Sequence, residues 1–175
     1  MITGIRGQQS KGKTALMVAS IIELLIFGGY QPDEVVVNFA LHIPGVHCIP
    51  NDKMRQFLKM MIERGLKHKI IGITEIDRML PARFWHQAEQ TDTLLGLWQD
   101  EKLFNWIFWD AHIGSSVDLM LRQTTQIELL PEYEKVNDRI LFTVINTLNR
   151  ESHEETCDNV SKRVFPFYNR WEVIK

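Results

Sequence analysis

An α/β fold is predicted for this chain: a mainly parallel sheet flanked by helices, with an antiparallel extension at its C-terminal end. Three observations predict it. A glycine-bearing loop, Gly7 to Gly12, separates a short apolar start from a strongly apolar helical pattern. Continuous apolar runs of strand type then alternate with helical patterns, as in sheets built with right-handed crossovers. Beyond Arg122 strand patterns follow one another without helices between them, which favours hairpins.

The elements follow in order. Ile2 to Ile5 reads as the first strand. The next helix carries Leu16, Met17, Ile21, Leu24 and Leu25 on its apolar positions and stops at Gly28-Gly29. Val35-Val36-Val37 is a β-branched run of the kind covered on both faces. After a loop with Pro44, Gly45 and Pro50, Asn51 can cap a helix bearing Met54, Phe57, Leu58, Met61 and Ile62, which Gly65 closes. Lys69 to Thr74 and Phe104 to Trp109 are further buried-strand patterns, with a helix expected at Thr91 to Lys102 and a short one at Ser115 to Arg122. Thr125 to Leu130, Arg139 to Ile145 and Arg163 to Tyr168 are expected strands, and the polar Glu151 to Asp158 an exposed loop. No repeat, low-complexity tract or linker interrupts the chain, so residues 1–175 are read as one domain.

Composition narrows the class. With 45% hydrophobic and 24% charged residues the chain is of ordinary globular type. A net charge of -2 supplies no global basic field, so contact with nucleic acid would need a local patch or several subunits together. Cys48 and Cys157 stand far apart, without zinc-like spacing, which argues against a disulfide framework or a metal cluster. The opening residues lack the order of a secretory signal, and the apolar stretch Ala15 to Phe27 is too short to span a bilayer. A soluble, cytoplasmic protein is expected.

The most specific signal is Gly7-Gln8-Gln9-Ser10-Lys11-Gly12-Lys13-Thr14, followed by Ala15. Two glycines at this spacing followed by Lys-Thr define a P-loop, a pattern that arises by chance in under about 1% of chains of this length. Its glycines let backbone amides wrap phosphates, and the helix behind it turns its N-terminus to negative charge. Lys13 can reach the outer phosphates of ATP, and the Thr14 hydroxyl can bind Mg²⁺. A P-loop NTPase fold follows.

Such a site needs an acidic group at a neighbouring strand tip for the metal, and a carboxylate for the attacking water. Ile70-Ile71-Gly72-Ile73-Thr74-Glu75 is the obvious segment. Thr74 stands where the metal-side Asp is expected, while Glu75 remains as the general-base candidate. Asp77, two positions on, and Asp110, at the end of the next strand, are the two residues that could compensate.

With these residues in place, the order of features resembles the FtsK and HerA superfamily of DNA-translocating ATPases (RecA/FtsK-like). It is most similar to the small genome-packaging ATPases of internal-membrane viruses and to zonula occludens toxin-like phage assembly proteins. The matching segments are Val35-Val36-Val37-Asn38, Thr74-Glu75-Ile76-Asp77, Asp110-Ala111-His112, Ser116-Val117-Asp118-Leu119-Met120-Leu121-Arg122, and the ending Phe167-Tyr168-Asn169-Arg170-Trp171-Glu172. The resemblance implies an ATP-hydrolysing translocase of double-stranded DNA, a viral genome-packaging motor subunit in host cytoplasm or virion. It further implies a homo-oligomeric ring of six subunits and capsid or membrane proteins at a packaging vertex. His112 stands where these families carry a polar sensor glutamine. Glu101-Lys102 departs from their Arg-Lys, so Arg122 and Arg83 are the candidates for an arginine acting on a neighbour's nucleotide. Arg78, Arg83 and Lys102 are candidates to face a DNA channel.

Two other readings compete. A small-molecule kinase of the nucleotide type shares fold and length, but no arginine-rich lid is evident. A nucleotide-binding assembly module with weakened hydrolysis would account for Thr74. Trp85, Trp98, Trp106, Trp109 and Trp171 are read as packing residues and not as base-stacking platforms, and Met60-Met61 as core filling.

Overall fold

A computed structural model describes residues 1–64, 69–79, 104–112, 117 and 119–168. Its strands are β1 (Ile2–Arg6), β2 (Val35–Val37), β3 (His47–Cys48), β4 (Ile70–Ile73), β5 (Trp106–Ala111), β6 (Ile127–Glu134), β7 (Arg139–Asn146) and β8 (Ser152–Asp158). They form one sheet in the order β3-β2-β4-β5-β1-β6-β7-β8. From β3 through β6 every pairing is parallel, and β6, β7 and β8 are antiparallel. The helices are α1 (Lys13–Phe27), α2 (Asn51–Arg64), α3 (Ile76–Met79), α4 (Leu119–Thr124) and α5 (Val160–Arg163).

The central strands are buried on both faces, which is why they read as unbroken apolar runs. Val35, Val37 and Ile70 join Leu16, Met17 and Ile21 of α1 in one core. Val36 and Ile71 join Met54, Leu58 and Met61 of α2 in the other. Two close approaches hold the layers in register. A Cβ on Gly4 would lie 2.4 Å from the ring of the fully buried Trp109, and one on Gly72 within 3.2 Å of Met17 and Ile21. Trp109 also donates its indole N–H to Thr125 Oγ1 at 3.1 Å, and Trp106 donates to the Tyr30 hydroxyl at 3.0 Å. Both act in packing, as expected. Met61 is core and Met60 half-buried.

Several boundaries differ from expectation for identifiable reasons. Glu151 to Asp158 was expected as a loop, yet residues 152–158 form β8, paired to β7 along its length. Only Cys157 of that strand is buried, so an edge strand exposed on its other positions shows no apolar alternation. Arg163 to Tyr168 was expected as a strand. Instead α5 is followed by turns, and the sole strand-like feature is an antiparallel bridge from Tyr168 to Leu41. β6 runs past Leu130 to Glu134 and includes Pro131, which pairs with Phe142 of β7. β1 pairs only as far as Leu129, so the missing N–H of Pro131 breaks no ladder on that side. β5 starts and ends two residues later than expected, which brings Asp110 and Ala111 into the strand. Gly65 and the helix expected at 91–102 lie outside the described residues, as do Arg83, Trp85, Trp98, Lys102 and Trp171. No helix among the described residues is long and apolar enough to cross a membrane.

Candidate nucleotide-binding site

β1 ends at Arg6, α1 begins at Lys13, and the P-loop turns the chain between them. The turn requires left-handed backbone at Ser10 (φ 65°) and Gly12 (φ 87°). Gly12 is also crowded: a Cβ there would lie 3.2 Å from Tyr133 Cβ and 3.3 Å from Ile140. Glycine therefore serves both the conformation and the approach of β6 and β7 behind the loop. The first turn of α1 has no side-chain cap and no acidic residue, an arrangement that suits an anion. Lys11 pairs with Glu132 of β6 at 2.7 Å, and Arg6 with Glu128, tying both ends of the loop to the neighbouring strand.

The parallel register then gathers the chemistry. Ile5 lies beside Asp110 and Ile73 beside Trp109, so the carboxyl ends of β1, β4 and β5 open at one edge. Ligand sites of open α/β sheets form at this edge. A cavity of about 260 Å³ lies there. Its polar walls are Gln9, Ser10, Gly12, Lys13, Thr14 and Ala15 of the loop and helix, with Glu75 and His112 opposite. Gly7, Gln8 and Lys11 are not on the wall; Gln8 contributes its carbonyl, which accepts from Lys13 Nζ at 3.0 Å.

Asp110 is the pivot. Its side chain is almost completely buried, and both oxygens are engaged: Oδ2 accepts from the Thr14 hydroxyl at 3.0 Å and Oδ1 from the Glu75 backbone N–H at 2.9 Å. Burial pushes its carboxyl above the usual range, opposed by these two hydrogen bonds and by the charge of Lys13. Lys13, itself buried, is shifted down by desolvation, against the pull of Asp110, Asp77 and Glu75. Asp77 thus adds to the negative field at Lys13, whereas Asp110 holds the hydroxyl of Thr14. Of the two residues that sequence left open, it is Asp110 that bonds to Thr14.

Thr74 is used otherwise. Asn38, at the end of β2, accepts from the Thr74 N–H at 2.7 Å and donates to its carbonyl at 2.9 Å. The Thr74 hydroxyl lies 3.3 Å from the same Asn38 oxygen. Glu75 follows in left-handed backbone (φ 52°), with its N–H on Asp110 and its carboxylate 2.8 Å from Arg78. His112 bridges the two sides. Its Nδ1 is 3.1 Å from Lys13 Nζ, and its Nε2 is 3.7 Å from Glu75 Oε1. An ammonium can only donate, so Nδ1 accepts and the ring proton of the neutral imidazole sits on Nε2, toward Glu75.

The donor set suits Mg²⁺ better than a transition metal. No group of three or more His, Cys, Asp or Glu converges among the described residues, but Mg²⁺ takes only one or two protein ligands beside phosphate and water. Thr14 and Asp110 together supply that number. Arg122 is not on the cavity wall; its Nε donates to the Val117 carbonyl at 3.1 Å.

Three aromatic residues complete the wall, and none of them was singled out for this from sequence: Tyr133 of β6, Phe165 and Tyr168. Tyr133 reaches the loop only through the β1–β6 pairing, and the other two only through the turns after α5. No local pattern announces either.

No family model and no curated protein sequence matches the chain. Solved structures do. The N-terminal domain of zonular occludens toxin from Neisseria meningitidis matches with a TM-score of 0.67 at 18% identity, covering 96% of this chain and 98% of that one. The genome packaging NTPase of Sulfolobus turreted icosahedral virus 2, solved in complex with ATP-gammaS, matches with a TM-score of 0.64 at 7% identity, over 88% of this chain and 96% of that one. The flagellar accessory protein FlaH from Methanocaldococcus jannaschii matches at 0.55 and 14%, over 83% and 77%. At these identities the likeness is one of fold, and the first two structures are of the kinds that the order of motifs resembles.

Proposed function

We propose that the chain is a P-loop ATPase whose turnover drives translocation of double-stranded DNA, in the manner of a viral genome-packaging motor subunit. The observation that carries the enzymatic part is the convergence of Lys13, Thr14 and Glu75 on one cavity wall at the end of β1, β4 and β5, with Asp110 bonded to Thr14 and to the Glu75 N–H behind it. The DNA part rests on the order of motifs and on the shared fold with a genome packaging NTPase.

In this reading the amides of residues 8–14 and the ammonium of Lys13 bind the β- and γ-phosphates of ATP. Thr14 and Asp110 hold Mg²⁺, which when bound supplies charge neutralisation to the phosphate oxygens. Glu75 orients a water and accepts its proton as the water oxygen bonds to the γ-phosphorus and the bond to the bridging oxygen breaks. His112, proton on Nε2, sits between Lys13 and Glu75 and senses the terminal phosphate. Arg122 lies off its own chain's cavity wall, which fits an arginine that acts across a subunit boundary in a hexameric ring. Capsid or membrane proteins at a packaging vertex would anchor that ring.

The test is ATPase activity with and without double-stranded DNA, for wild type and Lys13→Ala. Stimulation of the wild type by DNA and loss of activity in the variant are expected. Equal activity in the two proteins would remove the proposed site, and a wild-type rate indifferent to DNA would remove the translocase reading while leaving the ATPase.

A further inference from the structure

We propose that Phe165, with Tyr133 and Tyr168, forms the platform on which the planar base of the bound nucleotide lies, by its face. The proposal rests on the reading of the P-loop cavity as a nucleotide site and names its second half.

The cavity wall combines two chemistries. Lys13, His112 and Glu75 are mutual neighbours on it, with Thr14 beside them, and Tyr133, Phe165 and Tyr168 give it aromatic rings. A nucleoside triphosphate combines the same two chemistries, charged phosphates and a flat apolar base. Phe165 is 42% exposed, a large apolar side chain kept at the surface directly beside a charged site. Its ring stands edge-on to Tyr133, with centroids 6.1 Å apart and planes at 73°.

The platform is held from two sides. Burial, and then the neighbouring Asp138 carboxylate, raise the Tyr133 pKa above the usual phenol value. Asp138 also accepts from the Ser161 N–H at 2.9 Å and its hydroxyl at 2.6 Å, and its carbonyl accepts from Val160 at 3.1 Å. The β6–β7 turn therefore fixes both the tyrosine and the short helix that leads to Phe165. From the opposite side, the Phe167 carbonyl accepts from the His42 N–H at 2.7 Å, and Tyr168 packs edge-on against Phe39 at 5.8 Å. Fixed rings lose little freedom on binding, and face stacking accepts any base while favouring the larger purines.

The experiment is calorimetric titration of the full chain with Mg-ATP and, separately, with magnesium tripolyphosphate, which has the phosphates and no base. Wild type is expected to bind ATP the more tightly. Phe165→Ala should weaken ATP about tenfold, the usual effect of losing one stacking ring, and leave tripolyphosphate unchanged. Phe165→Trp should retain ATP affinity, and Phe165→Leu, which keeps apolar bulk without a ring face, should lose part of it. Unchanged ATP affinity in Phe165→Ala, or equal loss of both ligands, would overturn the platform. Failure of wild type to bind either ligand would instead overturn the phosphate site on which it depends.

Discussion

The hydroxyl of Thr14 donates to the buried carboxylate of Asp110 across 3.0 Å, so the first turn of α1 is joined to the tip of the strand adjacent to β1. In the proposed site, the acidic group expected at position 74, one strand further away, would be supplied from β5. Burial opposes the charge of Asp110, so a neutral residue with the same two contacts would suit the fold better; the proposed metal role is what would use the charge.

Removing that charge should therefore cut activity. Asp110→Asn is expected to lower magnesium-dependent turnover on the order of 10–100-fold, as losses around a metal commonly do, and Asp77→Asn by much less. Thr74→Asp should give no gain, because position 74 is held by Asn38 through its N–H, carbonyl and hydroxyl. Steady-state rates across a magnesium titration check all three; a gain from Thr74→Asp would return the metal to β4.

The same substitution should stabilise the fold. For a carboxyl held above its ordinary value, the folded chain binds the extra proton in the window between the unfolded and folded values, so this group's contribution falls as pH rises through that window. Asp110→Asn removes the loss and can keep both contacts, its oxygen accepting from Glu75 and its amide donating to Thr14. A Tm higher than wild type at neutral pH is expected, the difference shrinking as pH falls toward the ordinary carboxylate range. Thermal melts at several pH values would reveal a constant difference if burial of the charge were not its source.

Asn38 is the clasp between β2 and the Thr74-Glu75 tip. Asn38→Ala leaves the N–H and carbonyl of Thr74 without their partner and should cost about 2–3 kcal/mol in denaturant unfolding. Turnover should fall more than ATP affinity does, because Glu75 follows Thr74 directly while Lys13 and Thr14 are held elsewhere. An equal fall in both would mean that the clasp supports the whole cavity.

Gly12 is under two constraints. Gly12→Ala places a Cβ in left-handed backbone and 3.2 Å from Tyr133, which should cost about 1–2 kcal/mol and move the loop away from its phosphate-binding shape. ATP titration should show weakened binding together with a lowered unfolding midpoint; unchanged binding would show that the loop adapts.

The P-loop, the helix behind it and the central apolar strands were legible in the chain alone because each depends on neighbours in sequence. Gly7 to Thr14 is one contiguous turn, and Val35-Val36-Val37 is apolar because two helical layers cover it. Elsewhere local pattern and environment part company: β8 is polar because it is an exposed edge, and the apolar residues 164–168 form turns and one bridge that bring aromatic rings to the cavity. That Asp110 is the carboxylate bonded to Thr14, that Thr74 is committed to Asn38, and that Tyr133 arrives beside Gly12 are visible only in the tertiary structure. Each depends on strand order and register, which are set by the packing of segments as much as 124 residues apart (Thr3 beside Ile127) and leave no trace in any one of them.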